Sequence, residues 1–218
     1  MARVSVRVIY RRLFRAFGPQ HWWPAESPFE MMAGAILAQA TNWHNVEAAM
    51  ERLQRLGGLS PRRLVAMPRR RLEQAIRPAG YFRQKAQRLA HFTRWYLTRS
   101  RGQPRRLFRT PWPALRRELV SLRGIGPETA DSMLLYAGQQ PVFVVDAYTR
   151  RVFARHRLSD DDATYDELQQ LVMQEFPASA AVYNEYHALL VAVGKRFCHR
   201  RRPACERCPL DDLPHRMR

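Results

Sequence analysis

Apolar residues recur along this chain at intervals of three and four, and no stretch alternates convincingly in the two-residue rhythm of a strand. A pattern that starts after Ser27-Pro28 runs from Phe29 to Met50, and Val46, Ala49, Met50 and Leu53 carry its stripe onward. Ser60-Pro61 has the composition that opens a short helix, and Pro68 and Pro78 bracket another over Arg69 to Ile76. Arg83 to Arg99 reads as a long amphipathic helix with Ala86, Leu89, Ala90 and Trp95 inward. Arg101 to Pro113 reads as a loop. Leu115 to Leu122 and Glu128 to Ala137 read as helices, as do Ala147 to Arg155, Tyr165 to Glu175, Ala178 to Val193 and the basic segment Met1 to Arg15. Asp160-Asp161-Asp162 reads as an acidic turn at a helix start. The sum is an all-α protein with short connections.

Between two of these helices lies Leu122-Arg-Gly-Ile-Gly-Pro-Glu-Thr-Ala130. Gly124 and Gly126 allow positive φ and close backbone approach. Pro127 suits a first helical turn, where its missing amide hydrogen would be unpaired anyway. Amides exposed at such a helix start favour an anion, and phosphate is the natural candidate. An ordinary glycine turn is the competing reading. Eighteen residues after Glu128, the apolar run Val142-Phe-Val-Val145 delivers the carboxylate of Asp146. That position is costly unless the group is paired or functional.

Charge then narrows the partner. The net charge is +18, with a pI near 11.2, in a chain apolar enough to fold. Such a surface attracts polyanions, with nucleic acid the default. No apolar run approaches the roughly 20 residues of a membrane span, and Met1 to Arg15 reads as a basic helix without the apolar core or cleavage site of a signal peptide. A cytoplasmic, nucleoid-associated protein is expected. The 37 basic residues include only two lysines, Lys85 and Lys195. Arginine is a poor amine nucleophile, so a Schiff base could use only those lysines or the N-terminal amine.

Trp22-Trp23-Pro24 and Trp43 offer aromatic faces beside this basic surface, suited to stacking an extruded base or to ordinary core packing. Gly80-Tyr81-Phe82 forms an apolar tip that could wedge into a duplex or pack as a buried turn. All three cysteines, Cys198, Cys205 and Cys208, lie in the tail, where clustering in an intracellular chain suggests a metal. A fourth donor is needed, and Pro214-His215 stands where it is expected.

Ile36-Leu-Ala-Gln-Ala-Thr41, Ala79-Gly-Tyr-Phe-Arg-Gln-Lys-Ala86, the turn at Leu122 to Ala130 and Val144-Val-Asp146 together resemble the helix-hairpin-helix DNA glycosylases of the endonuclease III superfamily. The resemblance runs from about Pro28 to Asp212. It implies a two-lobed all-α fold. A six-helix barrel would occupy residues 30–135, with the hairpin at about 115–137. Residues 1–29 and 136–197 would form the second lobe, and 198–218 a cysteine-containing tail. The resemblance also implies that Gly124, Gly126 and Thr129 bind DNA phosphates. Gln39 would fill the gap left in the duplex, Tyr81 would be the wedge, and Asp146 would be the catalytic aspartate. Lys85 is expected at DNA backbone or solvent.

Two departures from the family's pattern matter. Glu128 stands where bifunctional members carry a lysine nucleophile, and a carboxylate cannot form a Schiff base. A monofunctional enzyme is expected, closest to the 3-methyladenine branch, acting as a monomer on double-stranded DNA with a damaged base. Trp22, Trp23, Pro24, Trp43 and Lys195 would form the base pocket, with Glu128 at its edge favouring a cationic purine. The tail Cys198-x6-Cys205-x2-Cys208 resembles the family's [4Fe–4S] loop, but its last ligand position is Pro214 here. His215, one residue later, is the substitute. Alternatives are a glycosylase, with or without lyase activity, for oxidised pyrimidines or mismatched bases, and an inactive DNA-binding protein.

Overall fold

The computed structural model describes residues 4–22, 25–57 and 59–216. Regular structure among them is helical throughout. The first six helices are α1 (Val6–Phe17), α2 (Pro28–Leu37), α3 (Trp43–Arg55), α4 (Pro61–Ala66), α5 (Arg69–Ala75) and α6 (Phe82–Ser100). Then follow α7 (Pro104–Leu107), α8 (Trp112–Val120), α9 (Pro127–Ser132), α10 (Ala147–Arg155), α11 (Tyr165–Met173) and α12 (Ala180–Arg196). A π-helical turn, Met133–Ala137, continues α9. The chain forms two compact units, Ala25–Gln140 and a discontinuous one joining Met1–Pro24 to Pro141–Arg218. The cysteine tail belongs to the second unit.

The unit Ala25–Gln140 is built on α2 and α6. Both bury a full face, with Met32, Ile36, Leu89, Phe92 and Tyr96 removed from solvent. Phe29 and Phe92 each stack on Tyr96. The single pattern read from Phe29 to Met50 breaks at residues 38–42, because Ala40 takes a left-handed φ of 51° and the Asn42 side chain caps α3 by accepting from the Asn45 amide. The expected loop at 101–113 contains the short helix α7. The two helices of the hairpin, α8 and α9, are joined by Arg116, whose Nε donates to the fully buried Asp131 carboxylate at 2.8 Å. Residues 129–136 are buried on every side, so the segment after the glycine turn is a core helix and not a surface one.

In the other unit α12 is central and packs against α1 and α10. The Tyr186 hydroxyl donates to the Val6 carbonyl at 2.9 Å, and the Tyr10, Phe143, Phe153 and Phe176 rings surround it. Val142 to Val145 is buried but forms neither helix nor strand. Side chains of α11 satisfy its backbone instead: Gln169 donates to the Phe143 carbonyl, and the Val145 amide donates to the Tyr165 hydroxyl. The acidic turn at 160–162 does not cap α11. Thr164 does so, through a reciprocal capping box with Glu167.

Candidate functional site

Within Ala25–Gln140, the hairpin and the α2–α3 loop meet. Gly124 takes φ +86°, where a Cβ would collide with the Arg88 side chain. Gly126 differs from the sequence expectation. Its φ of −91° suits any residue, and a Cβ there would meet nothing within 4 Å. The Gln39 side chain folds onto this turn. Its Nε2 donates to the Gly124 carbonyl at 2.9 Å and the Thr129 hydroxyl at 3.0 Å, while Arg88 donates to its Oε1 at 2.6 Å. Thr129 is therefore buried, with its hydroxyl tied to Gln39. Glu128, on the first turn of α9, is exposed.

Tyr81 is the most exposed large hydrophobic residue among the described residues, at 68%, on a tip held by two positive φ values at Gly80 and Tyr81. The buried-turn reading of this tip fails for Tyr81. Lys85, expected at DNA backbone or solvent, lies instead in the core. It is 1% exposed and donates to the Leu37 carbonyl at 2.8 Å and the Ala79 carbonyl at 2.7 Å. It thus ties the end of α2, just before Gln39, to the turn just before Tyr81. Burial, aided by the Arg88 charge, pushes its ammonium down to about 8.

In the other unit Asp146 sits at the N-cap of α10. Its Oδ1 accepts from the Thr149 amide at 2.7 Å and the Thr149 hydroxyl at 2.9 Å. Its Oδ2 lies 3.5 Å from Nε2 of His187 on α12. The cap reading therefore holds through Oδ1, while Oδ2 faces His187. Burial alone would raise this carboxyl. The His187 imidazole and the Thr149 bonds outweigh it and hold the group below the ordinary aspartate range. The result is an oriented anion whose second oxygen is not consumed by the helix. Thr149 and His187 were not identified from sequence. The Asp-x-x-Thr spacing of a cap could have flagged Thr149, whereas His187 lies in an apolar helix with no local signal.

Lys195 is exposed, with its ammonium 5.6 Å from the centre of the Trp22 ring. Trp43 is half-buried at the start of α3 in the unit Ala25–Gln140. Trp23 and Pro24 lie outside the described residues.

Cys198, Cys205, Cys208 and His215 line one pocket against α10 and α12, together with Arg155 and His156. Among the described residues no three Cys, His, Asp or Glu side chains converge tightly enough for a single metal ion. Burial pushes the Cys208 thiol up to about 11, so without a bound cation it is a neutral thiol.

An all-helical fold carrying a glycine hairpin, an oriented carboxylate and a strongly basic surface defines a class. Residues 33–178 match the HhH-GPD superfamily of base excision DNA repair proteins, and the chain belongs to it, as a base excision repair DNA glycosylase by class. It is 40% identical, over 207 residues, to a Methanocaldococcus jannaschii protein with a provisional DNA repair glycosylase name, covering 94% of this chain and 93% of that one. It is 24% identical to endonuclease III of Thermotoga maritima over 206 residues, 93% of this chain and 89% of that one. A solved endonuclease III–DNA complex shares its fold with a TM-score of 0.83 at 24% identity, over 98% of this chain and 95% of that one. The H. pylori 3-methyladenine DNA glycosylase bound to 1,N6-ethenoadenine does so at 0.75 and 24%, over 88% and 98%. No described helix is long and apolar enough to cross a membrane.

Proposed function

We propose that this protein is a monofunctional glycosylase that hydrolyses the N-glycosidic bond of an alkylated purine in double-stranded DNA. The observation that carries the chemistry is the Asp146 carboxylate, held ionised by Thr149 and His187 at the end of a buried run. In the reaction the base leaves with the bonding electrons and positive charge develops on the sugar. Water then forms the new bond to the anomeric carbon and loses its proton. A carboxylate held below its usual range is a weak proton acceptor but a strong fixed anion. Its role is to stabilise the cationic sugar and orient the water. An N-alkylated purine leaves as a neutral base and needs little acid assistance.

The absence of a lyase step rests on the amines. Glu128 stands at the lysine position of bifunctional relatives, and the Lys85 ammonium is committed to two main-chain carbonyls. Lys195 is exposed, with its ammonium over the Trp22 ring. That ring face accepts a cation, which supports a pocket for cationic bases. At the hairpin, Gly126 has open space where a side chain would project, which supports close approach of a DNA phosphate to its backbone. Gln39 and Tyr81 would enter the duplex during flipping.

The cysteine pocket supports a [4Fe–4S] cluster held by Cys198, Cys205 and Cys208 with one further donor. Bound there, the cluster supplies cross-links that fix the tail to α10 and α12, and takes no step in hydrolysis.

The test is a panel of duplexes carrying methylated purines, oxidised pyrimidines or mismatched thymine. Release of methylated purines, with no strand break and no borohydride-trapped complex, is expected. Asp146→Asn should lose about 10²–10⁴-fold in excision with DNA binding retained. Equal excision by both proteins, or none by either, overturns the assignment. A trapped complex overturns the monofunctional part.

A further inference from the structure

The family's fourth cluster ligand position holds Pro214, which has no donor side chain, and two histidines line the same pocket. The backbone distinguishes them. From Leu210 onward the tail is folded tightly: the Leu213 amide donates to the Leu210 carbonyl at 3.0 Å, and the Arg216 amide donates to the Arg155 carbonyl on α10 at 2.8 Å. His215 lies between these anchors, so its ring is presented to the pocket by a pinned segment. Its Nδ1 is 2.8 Å from the Leu213 carbonyl, a bond that requires the proton on Nδ1 and leaves the lone pair on Nε2. Metal-binding histidines commonly use this arrangement, one nitrogen donating to a carbonyl while the other ligates. The Nδ1 of His156 faces the Pro214 carbonyl at 3.3 Å, where it supports the turn that carries its neighbour.

Resting on the cluster proposed above, we infer that His215, through Nε2, is the fourth ligand, giving a Cys3His [4Fe–4S] site in a C-x6-C-x2-C-x6-H frame. The three thiols and His215 line one pocket, enough donors for a four-ligand site. One imidazole in place of a thiolate removes a negative charge from the site. The Arg155 guanidinium, donating to Cys198 Sγ at 3.1 Å, acts in the same direction. Both raise the reduction potential relative to an all-cysteine site.

The test uses full-length protein purified without oxygen, with helical content checked by circular dichroism. Metal analysis, the visible absorbance of the cluster and pulsed EPR of the dithionite-reduced protein are the readouts. About four irons per chain are expected, with a nitrogen coupling from the ligating imidazole. His156→Ala should retain that coupling. His215→Cys should retain iron, lose the coupling and shift the potential to more negative values. Coupling that survives in His215→Cys, or vanishes in His156→Ala with iron retained, overturns the assignment. Zinc in place of iron does so too. Folded wild type without metal refutes the cluster itself, yet leaves base release, measured separately, to decide the glycosylase reading.

Discussion

Lys85 shows how one residue links packing to function. Its ammonium bonds the carbonyls that end α2 and precede Tyr81. Lys85→Met would leave two acceptors unsatisfied at about 1–3 kcal/mol each, partly offset by removing a buried charge. A lower urea midpoint at constant slope is expected. The folded pKa of about 8 lies below the unfolded value near ~10.4, so the unfolded chain binds more protons between those limits. Wild-type stability from this group therefore rises with pH across that window, and the deficit of Lys85→Met should widen there. Asp146 has the same sign in a more acidic window. Its folded pKa is depressed, so its carboxylate persists as pH falls and is lost only below the ordinary range near ~3.9. The excision rate should show no acid limb from this group above that range. A limb near neutrality would mean that another group governs the chemistry. Asp146 was legible from its apolar run and the resemblance. Lys85 was misread because a basic residue in a basic chain defaults to DNA, although it shares the inward register of Leu89, Phe92 and Tyr96.

At the level of elements, the hairpin separates glycine's two uses. Gly124 needs its left-handed φ and has Arg88 where a Cβ would go. Gly124→Ala should cost about 1–2 kcal/mol from the backbone alone. Gly126 needs neither conformation nor internal space. Gly126→Ala should leave thermal stability unchanged while weakening DNA binding at least tenfold by fluorescence anisotropy. Unchanged affinity would remove Gly126 from the interface. The helix α9 with its π-helical turn was legible as a helix, but its burial on all sides was not, because the Arg116–Asp131 pair hides a charge in the core. The α2–α3 break was missed because the apolar stripe continues in phase across it.

Over the whole molecule, a net charge of +18 predicts that duplex binding is dominated by released counterions. Affinity for undamaged DNA should fall on the order of 10³–10⁵-fold between roughly 50 and 200 mM salt if roughly six to ten phosphates are contacted. A shallow slope in a salt titration would argue that the charge serves something other than DNA. The unit that holds Asp146 and the cysteine pocket is assembled from both ends of the chain. There α1 packs on α12, and the Tyr186 hydroxyl reaches the Val6 carbonyl 180 residues away.

The sequence by itself determined the helical class, the glycine hairpin, an aspartate at the end of an apolar run and a spaced set of sulfur donors. Each of these is written in local order, as periodicity, turn chemistry or ligand spacing. Only the tertiary structure decided that Gln39 rests on Thr129, 90 positions away, that His187 faces Asp146, that Lys85 is buried, and that the His215 Nδ1 meets the Leu213 carbonyl. The physical reason is that periodicity states which face of a helix is apolar but not which other face it meets. Hydrogen bonds and pKa shifts are properties of that meeting.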